Sequence, residues 1–380
     1  MKNLFKQLHL WLSIPFGIII ALICFSGAML VFEQEVTQGL NPERYYVEST
    51  GEKALPVDQL IETASSALPE GVTITGVTIP SDPGRAYQMS LSKPRRASIA
   101  VNQYTGEVLG RNERGAFFMF MFRMHRWLLD SMPSGDGPFV GKLVVGVSTF
   151  VFVAVLLTGV VIWWPKTKRA LRNRLRISLG KGWWRFWYDL HVAGGMYALL
   201  FLLAMALTGL TWSFPWYRAA FYKVFGVETM PASPHAAQAP SPSSDKKPGD
   251  KEKGAPRKAT FLHWQVVYEK LAAEHPDYKQ VTLSGNSASL SFDRWGNQRA
   301  ADRYTFDPKS GEILERQPYR EAAATGKIRG WIYSVHVGSF GGMTTRVLAF
   351  VAALLGAALP VTGYYLWIKR LLRRSKQASR

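Results

Sequence analysis

Four segments of this chain are apolar, free of charge and about 20 residues long, the length that a helix needs to cross a bilayer. They run from Leu10 to Phe32, Leu143 to Trp164, Val192 to Phe214 and Val347 to Ile368. In lipid, a backbone must satisfy its own hydrogen bonds, which a helix does within a single segment. The sequence therefore predicts a membrane α-helical protein with four transmembrane helices.

Basic residues are concentrated in the short segments outside these helices. The net charge is +19, and Lys and Arg are abundant before the first helix, between the second and third, and after the fourth. Short basic segments mark the cytoplasmic side of a membrane. We therefore expect both termini and the middle loop to be cytoplasmic, the two long insertions to be external, and no nucleic acid to be bound.

Each long insertion has the pattern of a small α+β module. A helix-like run is followed by strand-like runs with alternating apolar residues. In the first insertion these runs are 57–68, then 73–79, 87–91 and 98–102; in the second they are 261–275, then 280–283, 288–292 and 303–306. A stretch of Pro, Ser, Ala, Lys and Gly at 231–258 predicts a disordered linker within the second insertion.

These patterns divide the chain into eight parts. They are transmembrane helix 1 (1–33), the first module (34–114), an interfacial helix with transmembrane helix 2 (115–165), a basic loop (166–190), transmembrane helix 3 (191–216), the second module with its linker (217–328), an interfacial segment with transmembrane helix 4 (329–368) and a basic tail (369–380).

The two halves of the chain share motifs at equal spacing, which predicts two internal repeats. A glycine follows a histidine by 18 residues in helices 1 and 3, and precedes a tryptophan by four residues in helices 2 and 4. Related Gly-Glu turns recur in both modules. The matching positions are His9 and Gly27 with His191 and Gly209, Gly159 and Trp163 with Gly363 and Trp367, and Gly106 with Gly311.

Four histidines lie at the ends of the four apolar segments. His9 and His191 are at the cytoplasmic ends of helices 1 and 3, and His125 and His336 precede helices 2 and 4 on the external side. Two histidines at one membrane level can provide both axial ligands of a haem iron. The predicted iron ligands are therefore His9 with His191, and His125 with His336, for two b-type haems.

Other residues are predicted to complete these cofactor sites. Gly27, Gly209, Gly159 and Gly363 lie at the histidine levels on the opposite helices, where a porphyrin needs a close backbone approach. Arg126 is a candidate partner for a haem propionate. The haems are expected to be non-covalent, because the single cysteine cannot supply a Cys-x-x-Cys-His motif.

One departure from the repeat concerns His125. A separation of 34 residues lies between His125 and Gly159, but only 27 between His336 and Gly363. The difference falls in a Pro- and Gly-rich insert at 132–138. The position of His125 is therefore the least constrained of the four.

The chain resembles the PepSY-associated transmembrane proteins. The resemblance rests on Leu-His opening an apolar helix that ends in Ser-Gly or Thr-Gly, on the module with its Thr-Gly-Glu-Val turn, and on the Thr-Gly-x-x-x-Trp ending. It implies a bacterial inner-membrane protein with periplasmic PepSY-like insertions and a link to iron uptake. Some members resemble ferrisiderophore reductases with two b-type haems.

The leading hypothesis is a transmembrane oxidoreductase that reduces a periplasmic acceptor, with a ferric siderophore as the acceptor that the resemblance implies. No dinucleotide or flavin motif is found, so an external donor, a quinol or a reductase, is expected. Membrane lipid is the other expected partner. The alternative is a cofactor-free membrane protein that regulates a peptidase or signalling. A transporter is disfavoured because the helix interiors carry no charge, and no hydrolase motif is present.

Overall fold

Four helices are long and apolar enough to cross a membrane within the part of the chain that the structure describes. Large apolar side chains remain on their surfaces, such as Ile18 at 65% and Leu200 at 75% exposure. Exposed apolar surface on this scale indicates lipid contact. The prediction of a multi-pass membrane protein is confirmed by these spans: Lys2–Val31, Val140–Trp163, Trp183–Ser213 and Ser339–Arg373.

The structure, a computed structural model, describes residues 2–48, 51, 53–94, 96–131, 137–228, 263–293 and 295–378. The predicted linker at 231–258 and most of the insert at 132–138 lie outside these residues. The chain divides into two units. The helical unit comprises Met1–Glu33, Gly115–Glu228 and Trp331–Arg380; the sheet unit comprises Gln34–Arg114 and Thr229–Gly330.

The described α-helices are, in chain order, α1 (Lys2–Val31), α2 (Glu33–Leu40), α3 (Val57–Ser66), α4 (Ala116–Trp127), α5 (Val140–Trp163), α6 (Lys168–Arg174), α7 (Trp183–Asp189), α8 (Gly195–Ser213), α9 (Pro215–Val224), α10 (Trp264–Glu274), α11 (Ala324–His336) and α12 (Gly342–Ala378). A π-helical turn, Leu190–Gly194, joins α7 to α8.

In the helical unit, α1 packs against α4, α5 and α12, and α8 packs against α5 and α12. The shared core contains Ile20, Phe152, Leu156 and Leu202. Small residues permit the close approach of the helices. A Cβ on Gly356 of α12, for example, would lie 2.7 Å from the side chain of Leu202 in α8.

The connection between α4 and α5 is tight. A Cβ on Gly141 would lie 1.9 Å from the Trp127 carbonyl oxygen, so only glycine fits at this position. The Asp130 carboxylate accepts hydrogen bonds of 2.8 Å from the Ser131 and Gly141 backbone N–H groups. It thereby satisfies one of the free N–H groups at the start of α5.

The sheet unit contains one antiparallel sheet of eight described strands. They are β1 (Ile74–Pro80), β2 (Tyr87–Leu91), β3 (Ser98–Val101), β4 (Val108–Asn112), β5 (Gln280–Ser284), β6 (Ser287–Ser291), β7 (Ala301–Phe306) and β8 (Ile313–Gln317). Their order across the sheet is β4-β3-β2-β1-β5-β6-β7-β8. The core of this unit includes residues of α3 and α10 that pack against the sheet, among them Leu60 and Leu271.

The sequence predicted one small α+β module in each insertion, and the structure joins the strands of both insertions in one sheet. The central pair is β1 with β5, in the register Val77 to Leu283 and Thr78 to Thr282. The Thr78 and Thr282 hydroxyls are hydrogen-bonded at 3.1 Å. The physical reason is that an unpaired edge strand is a liability, and joining two edges removes both. The six predicted strand runs correspond to β1–β3 and β5–β7, and β4 and β8 follow the Gly-Glu turns.

We predict that the pair β1 and β5 depends on Gly76. A Cβ there would lie 2.9 Å from the Leu283 carbonyl oxygen. Gly76→Val should therefore push β5 away and increase amide hydrogen exchange in both strands, by roughly tenfold for each 1.4 kcal/mol lost. Thr75→Val, at an exposed neighbouring position, is the control. Unchanged protection in both strands of the Gly76→Val protein would contradict the prediction.

Candidate functional site

The structure brings together the two histidine pairs that the sequence predicted. In the first pair, His9 of α1 and His191 of the π-helical turn have ring centroids 6.4 Å apart. In the second pair, His125 at the end of α4 and His336 at the end of α11 have ring centroids 6.0 Å apart. His125 is thus placed like the other three, although the longer connection after it left its position least constrained.

The two pairs lie near opposite ends of the spanning helices. His125 contacts Gly27 of α1, which is 18 residues after His9 on the same helix. At 1.5 Å per residue, these two positions are about 27 Å apart along the helix axis. Each pair is therefore a separate site, and no histidine of one pair can contact a histidine of the other pair.

Each histidine ring is held by a neighbouring spanning helix. His9 illustrates the arrangement: its Nδ1 lies 3.1 Å from the Val155 carbonyl oxygen and 3.1 Å from the Thr158 hydroxyl, both in α5. The Thr158 hydroxyl also donates to the Val155 carbonyl oxygen at 2.9 Å. Gly159 follows, and its missing side chain leaves room for the imidazole.

The same arrangement recurs at the other three histidines. His191 Nδ1 is 3.1 Å from the Leu359 carbonyl oxygen and 2.9 Å from the Thr362 hydroxyl. His336 Nδ1 is 2.9 Å from the Met205 carbonyl oxygen and 3.2 Å from the Thr208 hydroxyl.

His125 completes the set with a small variation. Its Nδ1 lies 2.9 Å from the Ile23 carbonyl oxygen of α1. Ser26 takes the position of the threonines, and its hydroxyl donates to the Leu22 and Ile23 carbonyl oxygens. In all four cases the carbonyl belongs to the residue four positions before a glycine, and a serine or threonine immediately precedes that glycine.

The glycines make this approach possible. A Cβ on Gly27 would lie 2.8 Å from Cε1 of His125, and one on Gly209 would lie 3.1 Å from Cε1 of His336. The corresponding distances are 3.5 Å from Gly159 to His9 and 3.4 Å from Gly363 to His191. The four predicted glycines therefore contact the imidazoles directly, and the second pair is the more tightly enclosed.

The hydrogen bonds determine which nitrogen is available. A carbonyl oxygen only accepts, so each Nδ1 carries the proton that it donates. In a neutral ring Nε2 then has a free lone pair, and this is how metal-binding histidines are usually oriented. Burial lowers the pKa of His125 and lowers the pKa of His336 to about 3. Both rings of the second pair are therefore neutral at neutral pH.

The pairs have the composition and spacing of an axial ligand set. A metal–imidazole bond is about 2 Å long, so two rings that bind one metal ion from opposite sides have centroids about 6 Å apart. No cluster of three or more His, Cys, Asp or Glu occurs within the described residues. Two nitrogens are too few for a tetrahedral zinc site, whereas a haem needs only axial ligands because its porphyrin supplies the rest.

Arg126, the predicted propionate partner, lies beside the second pair. Its guanidinium is 5.4 Å from the ring centroids of both Phe122 and Trp127, and its charge acts on His125 and His336. In α7, which precedes His191 in the chain, the Arg185 guanidinium forms an ion pair of 2.9 Å with the buried carboxylate of Asp189.

The backbone carbonyls and hydroxyls that orient the histidines were not predicted as site residues. Their signal was present in the sequence as the repeated Ser-Gly and Thr-Gly pairs, which were interpreted only as marks of duplication and close packing. The hydroxyl residues are Thr158, Thr208 and Thr362, and Ser26 holds the corresponding position in the sequence near His125. The π-helical turn at His191 was also not predicted, although such turns are frequent at functional sites.

Comparison with known proteins identifies the family. Residues 6–370 match the family described as the PepSY-associated TM region. The chain therefore belongs to this family, which confirms the resemblance seen in its motifs. No curated protein matches the chain.

We predict that all four rings keep the proton on Nδ1 in the cofactor-free protein at neutral pH. The measurement is the ring ¹⁵N chemical shifts of histidine-labelled protein in detergent, which distinguish the two tautomers. Thr362→Val should perturb the His191 signals because it removes the hydroxyl at 2.9 Å, while Thr149→Val, whose hydroxyl bonds only to its own helix, should not. Protonated Nε2 atoms at His9 and His191 would contradict this assignment.

Proposed function

We propose that this protein is a transmembrane di-haem b oxidoreductase of the bacterial inner membrane, which passes electrons to a periplasmic acceptor. The observation that carries the proposal is the pair of histidine sites, in which the two ring centroids are 6.4 Å and 6.0 Å apart and each Nδ1 is bound to a backbone carbonyl. His9 with His191, and His125 with His336, would hold the two haems through Nε2.

A haem with two histidine ligands accepts and releases single electrons without opening a coordination position. The chain's contribution is to keep the ligands in place. Each Nδ1–H bond fixes the orientation and tautomer of its ring and makes Nε2 a stronger ligand. The neighbouring helix thereby prevents rotation of the imidazole.

The location of the two sites suits transfer across a bilayer. The sites are separated by about 27 Å of α1, which is close to the thickness of the hydrocarbon core. The Lys- and Arg-rich loop and tail support a cytoplasmic location for the first pair and a periplasmic location for the second pair and both modules. The four equivalent histidine environments support an origin by duplication of a two-helix unit.

The proposed acceptor is ferric iron in a siderophore. This specificity comes from the resemblance to ferrisiderophore reductases. One electron reduces the bound Fe³⁺ to Fe²⁺, which is a softer ion that hard oxygen chelators hold less tightly. The donor is a quinol or a separate reductase, because the sequence has no dinucleotide or flavin motif.

The first test is haem content. Protein purified after expression with ample haem should show two b-type haems per chain in oxidised and dithionite-reduced spectra, and a ferric siderophore should reoxidise the reduced form. His9→Ala or His191→Ala should remove one haem and leave the other, and His336→Ala should remove the opposite one, since each iron loses one of its two ligands. His263→Ala, in the sheet unit, is the control.

The outcomes separate the alternatives. A colourless wild-type protein would overturn the oxidoreductase and leave the cofactor-free regulatory hypothesis. Two haems in every histidine variant, with unchanged spectra, would show that other residues bind the iron. A loss confined to one spectral component in each variant is the expected result.

The glycines give a second prediction. Gly27→Ala puts a Cβ 2.8 Å from His125, whereas Gly159→Ala puts one at an ordinary 3.5 Å from His9. Overpacking of this kind costs about 1–3 kcal/mol. Gly27→Ala should therefore weaken haem binding at the second pair by roughly tenfold or more, while Gly159→Ala changes the first pair little. Haem loss to a scavenger protein measures both, and equal rates in the two variants would refute the role of glycine.

A further inference from the structure

The indole N–H of Trp163, the last residue of α5, is enclosed by protein. Among the described residues, no acceptor lies within hydrogen-bond distance of its Nε1 atom. A buried donor without an acceptor is costly, and a tryptophan at the end of a spanning helix normally avoids this cost by donating to water or to a lipid headgroup. Neither of these can reach an enclosed Nε1 atom, so an acceptor has to come from a group bound inside the helical unit.

The position of Trp163 places this donor beside the first histidine pair. Gly159, four residues earlier in α5, contacts His9, because a Cβ on this glycine would lie 3.5 Å from Cε1 of the imidazole. Residues four apart lie on the same face of a helix and are separated by about 6 Å along its axis. A helical side chain also leans over the turn that precedes it, which directs the indole back towards the level of His9. A group held between His9 and His191 is therefore well placed to supply the acceptor.

Two cations bind the backbone at the same end of α5. Lys2 Nζ donates to the Trp164 carbonyl oxygen at 3.0 Å. Arg174 donates to the carbonyl oxygen of Ile162 at 3.4 Å and to that of Trp163. Cations at a helix C-terminus offset the partial negative charge of its last carbonyls. A carbonyl carries no net charge, so each cation keeps its own charge in these bonds, which favours an anion as the acceptor near Trp163.

We propose that the Trp163 indole N–H donates a hydrogen bond to a propionate of the haem held by His9 and His191. The propionates are the anionic groups of a b-type haem, and a hydrogen bond to a carboxylate is roughly twice as strong as one between neutral groups. This contact rests on the proposed function and adds to it a residue that binds the edge of the haem, whereas the histidines bind its iron. The indole thereby determines which edge of the haem faces the end of α5.

The test measures the affinity of cofactor-free protein in detergent for haem and for haem dimethyl ester, whose carboxylates are esterified and uncharged. All proteins carry His336→Ala, so that the first pair is the only intact one. Trp163→Phe should weaken haem binding by about tenfold or more, because a hydrogen bond to a charged group is lost, and should weaken binding of the ester clearly less. Trp164→Phe is the matched control, since this neighbouring side chain is 64% exposed, and it should leave both affinities unchanged.

A second measurement is made on protein in which Trp163 is intact. The indole ¹⁵N–¹H signals are recorded without cofactor, with reduced haem and with the reduced ester, since ferrous haem with two histidine ligands is diamagnetic. The Trp163 signal is the one that is missing from the Trp163→Phe protein. Its proton should move further downfield with haem than with the ester, because both cofactors have the same ring current and only haem offers a carboxylate.

The outcomes separate this contact from the proposed function. If the unaltered protein binds no haem, both are overturned. If it binds haem and Trp163→Phe binds haem as tightly, the contact alone is overturned. An equal loss of affinity for haem and for the ester also overturns it, because Trp163 would then only pack against the cofactor, and so does an equal effect of Trp164→Phe. A larger loss for haem than for the ester, with the haem-specific shift of the indole signal, supports the contact.

Discussion

The hydrogen bond from a histidine Nδ1–H to a backbone carbonyl of a neighbouring helix is the interaction on which the helical unit depends. A carbonyl inside a helix is normally screened by the side chain four residues later. Glycine at that position removes the screen, and the preceding serine or threonine adds a hydroxyl beside the same oxygen. Bringing an imidazole this close to another backbone also requires that the helices approach closely, so the small residues serve packing and orientation together. The result is a ring whose direction is fixed by the protein alone, which under the proposed function would lower the ordering cost of binding a haem.

The sequence was sufficient for the parts of the structure that depend on the length of the apolar segments and on the positions of the histidines. Segment length predicted the four spans, and the ends at which the histidines lie predicted which rings would meet. The hydrogen-bond partners of each ring could not be predicted from the sequence, because they come from contacts between distant residues, such as His9 with Val155. A Thr-Gly pair in an apolar helix has many packing roles, and only the neighbouring helix shows which one applies.

The pairing of strands in the sheet was also not predictable from the sequence. Alternation predicted most strands, because one face of each is buried against α3 or α10. Nothing in the alternation specifies which edges meet, since backbone pairing is not encoded by side-chain pattern. The β1–β5 pair joins stretches separated by roughly 200 residues of chain, and the Thr78–Thr282 contact at its centre is an ordinary polar pair in both strands. The register was therefore visible only in the folded unit.

The distribution of the histidine contacts has a consequence for assembly. Each hydrogen bond stays within one half of the chain: α1 with the α4–α5 segment, and α8 with the α11–α12 segment. Each ring pair, in contrast, takes one member from each half. A half-chain could orient both of its histidines yet complete neither site. Under the proposed function, cofactor binding would therefore require that both halves of the chain have been inserted and joined.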